Sequence, residues 1–112
     1  MKQTEIIRHL KETIKNYAYR ATVCEELKNL GIDARMMEYY ENNYSGKAFG
    51  QMEALMFIAD KPCDDIYEEG CDEARKDIEN ANGDAVQLLN LGGWDGPEYY
   101  EMLKKKWQHL LI

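Results

Sequence analysis

The side chains best suited to chemistry in this 112-residue chain are three cysteines, Cys24, Cys63 and Cys71, and two histidines, His9 and His109. Together they suggest zinc binding or a thiolate nucleophile. A closed zinc site needs tetrahedral convergence, usually from ligands spaced about two to four residues apart. Cys63 and Cys71 stand eight positions apart, and neither histidine has a ligand partner at such a spacing. There is no HExxH motif, and His9-x-x-Glu12 reverses the Glu-x-x-His order of di-iron helical bundles. The pattern therefore predicts no metal ligand and no cofactor.

Nucleophilic chemistry needs a base within reach and a depressed thiol pKa. Cys63 follows Pro62 at an expected helix start, where the helix dipole favours a thiolate, but Asp64 and Asp65 beside it oppose ionisation. The run Gly92-Gly93-Trp94-Asp95-Gly96 lacks a lysine in Walker register and reads as an interhelical turn. No catalytic residue is predicted.

Carboxylates are what the chain concentrates. Residues 60–79 carry nine acidic and three basic side chains, net −6, within a chain of formal charge −7. On a helix, Asp64, Glu68 and Asp72 follow one face at i, i+4 spacing, and Asp65, Glu69, Glu73 and Asp77 follow its neighbour. An EF-hand is not expected, because its loop needs alternating oxygen ligands around a central glycine and a glutamate at position twelve. This face either only meets solvent or docks on a basic groove of a partner, including one normally occupied by nucleic acid. Tyr39, Tyr40 and Tyr44 form a second candidate contact surface, or else close the edge of the core. The candidate partner-binding set is thus Asp64, Asp65, Glu68, Glu69, Asp72, Glu73, Tyr39, Tyr40 and Tyr44.

A helix-turn-helix reading of Val23 to Tyr40 gives the alternative of a DNA-binding regulator. Against it, Leu27 stands where close helix crossing wants a small residue, and Arg35 is the lone cation beside Asp33, Glu38 and Glu41. Net negative charge also disfavours nucleic acid and anionic lipid.

Helices must position these groups. Ile7, Leu10, Ile14, Tyr17, Ala21 and Cys24 recur at helical steps, as do Tyr67, Cys71, Ala74, Ile78, Ala81, Ala85 and Leu88. The first helix is expected from about Thr4 to Leu30, with Gly31 and Ile32 forming a Schellman-type stop. A second, capped by Asp33, should run from Ala34 to about Asn43 and break at Ser45-Gly46. A third should carry Phe49, Met52, Leu55, Met56 and Ala59 and end before Pro62. The fourth opens at Asp64 and Asp65. At Asn82-Gly83 a kinked continuous helix is preferred over a stop with Asp84 capping a new one. The last should start at Pro97 and bury Tyr100, Leu103, Trp107 and Leu110.

The fold expected is all-α, a single domain over 1–112: a largely antiparallel bundle of four to five helices with a long N-terminal helix. Its main pair would be the first and fourth helices, the larger residues of the first facing the small ones of the fourth. Leu10, Ile14, Leu27, Leu55, Met56, Ile78, Leu88, Leu103 and Trp107 should be in the core. Two seams in one chain pack on each other by default, and a homodimer is the other solution. An odd cysteine count and no membrane-length apolar run predict a cytoplasmic protein without a membrane partner. The leading function is a small acidic non-catalytic interaction or regulatory protein with a basic protein partner. A small helical enzyme is a further alternative.

Overall fold

A computed structural model describes residues 3–91 and Lys105 of the chain. Among the described residues all regular structure is helical: α1 (Gln3–Asn29), α2 (Ala34–Ala59), α3 (Asp64–Ala81) and α4 (Ala85–Leu91). Of the expected last helix only Lys105 is described; Leu103 and Trp107 lie outside the described residues.

The first stop forms as its residue types dictate. Gly31 takes φ 78°, its N–H donates to the Lys28 carbonyl (2.9 Å), and the Ile32 N–H donates to the Leu27 carbonyl (3.0 Å). These are the two bonds of a Schellman motif, with glycine free of the steric cost of the left-handed region. Asp33 stands at the N-cap of α2, but in a left-handed conformation and without a side-chain capping bond.

The expected break at Ser45-Gly46 does not occur, and α2 runs unbroken for 26 residues. Met37, Tyr44, Ala48, Met52 and Leu55 keep one buried register through it. Burial of such side chains, roughly 1.5–3 kcal/mol each for the larger ones, outweighs the helix penalty of about 1 kcal/mol per glycine.

The kinked helix expected through Asn82-Gly83 is also corrected. Asn82 and Gly83 are both left-handed (φ 50° and 80°), and two such residues in succession cannot continue a right-handed helix. Asp84 then caps α4, accepting a bond from the Gln87 N–H at 3.2 Å.

Helix α1 is the axis of the bundle. Tyr17 stacks on Tyr44 (6.1 Å between ring centroids), and Lys28 pairs with Glu41 (3.2 Å), so α1 and α2 form an antiparallel hairpin. Lys15 reaches Glu69 and Tyr19 reaches Asp77, so α3 runs parallel to α1. The main pair is α1 with α2, not α1 with α3. Two buried clusters result: Val23, Cys24, Leu27, Met37, Tyr44, Leu88 and Leu89 at one end, and Ile14, Met52, Leu55, Cys63 and Ile66 at the other. Of the expected core, Ile14, Leu27, Leu55 and Leu88 are buried, Leu10 and Ile78 are half-buried, and Met56 is exposed. Met56 follows Leu55 by 100° around α2, which turns it off the buried stripe.

The seam of α3 meets α1 differently from expectation. Gly70 lies against the Lys15 carbonyl and Ala18, and the Cys71 thiol contacts the Ala18 carbonyl (4.0 Å). Small residues therefore face small residues, and the two backbones come close. Ile14, from the larger set, packs beyond this crossing with Ile66.

Candidate interaction surface

Helix α3 sorts its residues sharply. Ile66, Gly70, Cys71, Ala74 and Ala81 are buried, while Asp64, Asp65, Glu68, Glu69, Asp72, Glu73 and Glu79 are exposed and Asp77 is half-buried. Its eighteen residues hold eight carboxylates and two cations, Arg75 and Lys76. Asp64 and Asp65 occupy the first turn, where the positive end of the helix dipole favours them.

The two acidic rows meet different surroundings. Lys15 of α1 lies between Glu69 (3.6 Å) and Glu73 (3.7 Å), and the Tyr19 hydroxyl donates to Asp77 at 2.6 Å. A cleft of about 260 Å³ beside this row is lined by Arg8, Lys11, Lys15 and Lys61 as well as Asp65 and Glu69. The inner row is thus met by cations of the same chain. The outer row, Asp64, Glu68 and Asp72, meets Arg75, which bonds Asp72 at 2.8 Å and approaches Glu68 at 3.8 Å. Pairs this exposed are screened by water and salt and hold their members only weakly.

The three tyrosines part company. Tyr39 is 62% exposed, Tyr40 is half-buried, and Tyr44 is a core residue at 1%. Tyr44 stacks between Tyr17 and Tyr40 with the Arg20 guanidinium 5.6 Å from its ring centre. It closes the core and offers a partner no surface, so the candidate aromatic contact reduces to Tyr39 and the rim of Tyr40. Helix α2 also exposes Met36, Phe49, Met56 and Phe57, the last 89% exposed, although Phe49 stacks on Tyr67 of α3 (5.3 Å between ring centroids). Of the four only Phe57 lies opposite the buried stripe, a placement the 3.6-residue period gives when α2 is one helix.

Of the groups suited to chemistry the cysteines are turned inward, His9 is exposed on α1, and His109 lies outside the described residues. All three cysteines are free and buried. Burial, then the Glu41 carboxylate, pushes the Cys24 thiol up to about 12, with Arg20 opposing. Burial raises Cys63 as well, helped by Asp64 and Asp65, and its thiol donates to the Met52 carbonyl (3.5 Å). Burial raises Cys71 too. A thiol held protonated is a poor nucleophile. The native protein should therefore react with an aromatic disulfide reagent at neutral pH only as fast as it opens, and fully in urea. A burst of one equivalent before unfolding would show an accessible thiolate and refute this.

Among the described residues no group of three or more His, Cys, Asp or Glu could hold a metal ion. No described helix is long and apolar enough to cross a membrane. The turn expected to build a helix-turn-helix instead joins two long antiparallel helices, whereas that motif crosses its helices at roughly 90–120°. Comparison with known proteins finds no matching family, no similar curated protein and no similar solved structure.

Proposed function

We propose that this chain is a small non-catalytic interaction or regulatory protein that docks the outward carboxylates of α3 on a basic groove of a protein partner. The observation that carries this reading is the one-sided charge of α3: seven exposed carboxylates on a helix whose opposite side is anchored in the core. From Asp64 to Glu79 the ridge is roughly 22 Å long, at 1.5 Å per residue. A rigid helix presents these charges at fixed spacing, so association with a cationic groove needs little ordering of the docking element. The buried, protonated thiols support a role without covalent chemistry.

The test is charge reversal. Asp64→Lys, Glu68→Lys and Asp72→Lys together should leave the melting transition within a few degrees, because none of the three supports the core. They should lower recovery of the partner at least tenfold, and binding by the parent should weaken steeply with salt. Equal recovery by parent and triple variant, at any salt, would defeat the proposal.

A further inference from the structure

We infer that the outer face of α2 is a self-complementary surface on which two copies of this chain pair antiparallel, crossing at Gly46 and Gly50. This surface stands apart from the acidic face of α3. Along α2 and its C-cap residue Asp60, the residues Arg35, Tyr39, Asn42, Gly46, Gly50, Glu53, Phe57 and Asp60 succeed one another at steps of three and four, and all eight are exposed. They form a single stripe opposite the buried one.

The two glycines have no use inside the chain. A β-carbon built at either would meet nothing within 4 Å, and glycine is disfavoured in a helix relative to alanine. Their absent side chains leave a shallow saddle on an exposed helix. Tyr39 (62% exposed) flanks it on one side and Phe57 (89% exposed) on the other. Small residues at a crossing with larger ones on either side allow a second helix to approach closely.

The order of residue types identifies that second helix. A two-fold axis near Ala48 brings Gly46 against Gly50 of the second copy and Tyr39 against its Phe57. It brings Asn42 against the second copy's Glu53, where the amide N–H can donate to the carboxylate. At each end Arg35 faces Asp60, an ion pair. Each pairing joins complementary groups, and each occurs twice. A parallel arrangement would instead set Arg35, Glu53 and Asp60 each against its like. An isologous contact of this kind closes after two chains. One helix pair of this length lies near the lower bound of about 1,000 Å² for a specific interface, so the dimer dissociates on dilution. Pairing would give the assembly two acidic α3 ridges.

Sedimentation equilibrium of the full chain over a range of concentrations tests this. The mass should rise from 13.1 kDa towards twice that value. Gly46→Leu and Phe57→Glu should each hold the chain at the monomer mass while keeping its helical signal. Arg35→Asp and Asp60→Arg should each weaken association about tenfold, and the two together should restore it. A parent that stays monomeric overturns the inference in either of two ways. If Phe57→Glu then lowers the melting temperature, the face is covered by the chain's own residues 92–112. If the melting temperature is unchanged, the face belongs to a different protein. A dimer indifferent to Gly46→Leu and Phe57→Glu, or one the double charge swap fails to restore, overturns it as well.

Discussion

Gly70→Ala should lower the stability of the protein by roughly 2 kcal/mol, although alanine is the better helix former. Gly70 is buried in the middle of α3, where α3 crosses α1. A β-carbon there would lie 2.4 Å from the Lys15 carbonyl oxygen and 3.0 Å from the Ala18 β-carbon. The obstacle is backbone, which cannot swing aside as a long side chain can. The added methyl must therefore push α3 off α1 along the line that also carries Cys71 and Ala74. Overpacking of this kind costs about 1–3 kcal/mol and sometimes more, against a propensity gain of at most about 1 kcal/mol. For a domain of this size the melting temperature should fall by roughly 10 °C. Gly50→Ala is the matched control, since nothing lies within 4 Å of its β-carbon position. In dilute solution it should raise stability by about 0.5–1 kcal/mol. Thermal melts of the two variants beside the parent decide the matter. A Gly70→Ala protein that melts at or above the parent temperature would show that the two helices do not meet this closely.

The two glycines also mark where sequence reasoning succeeded and where it could not reach. Helix identity, the amphipathic sorting of α3 and the stop at Gly31 were legible, because each depends on residues a few positions apart. The stop, for instance, needs only a glycine followed by an apolar residue that folds back. The unbroken α2 was legible in principle and misread: Ser45-Gly46 was weighed by local propensity, while the register from Met37 through Tyr44 and Ala48 to Leu55 passes straight through it. Tyr44 went astray for the same reason, having been grouped with Tyr39 by proximity along the chain rather than by angle around the helix. Asn82-Gly83 shows the opposite error. There the apolar phase persisted, but two left-handed residues ended the helix regardless. The value of Gly70 was not legible at all, since a glycine before a cysteine looks like a weak spot until the facing backbone of α1 is known. As for the surface, the composition of α3 announced the acidic ridge. Which of its rows is met by Lys15 and Tyr19 depends on the packing of α1 and needed the fold.

The protein should lose stability progressively above about pH 9, and Cys24 should be the largest single cause. Its thiol is fully buried, and its pKa is raised from the ordinary 9.0 to about 12, first by burial and then by the Glu41 carboxylate. Between these two values the unfolded chain has lost the thiol proton and the native chain keeps it. The unfolded state therefore binds fewer protons, and stability falls as pH rises. Below about pH 9 both states are protonated and the contribution is fully present; at pH 12 about 4 kcal/mol of it is gone, taking about 1.36 kcal/mol per pH unit. Tyr19 acts in the same direction at still higher pH, because burial and its bond to Asp77 hold its phenol above the usual range. Tyr67, Cys63 and Cys71 are raised too, each chiefly by burial. Urea titrations at neutral pH and near pH 10.5 should differ by at least about 2 kcal/mol for the parent. Cys24→Ala leaves a small cavity and lowers stability by a pH-independent amount, but it removes the titrating group, so its loss between the two pH values should be smaller by about 2 kcal/mol. Parallel pH profiles for parent and variant would mean that the Cys24 thiol ionises as readily in the native protein as in the unfolded chain. In that case the end of the bundle built from Cys24, Leu27, Met37 and Leu89 is open to water, and α4 does not close it.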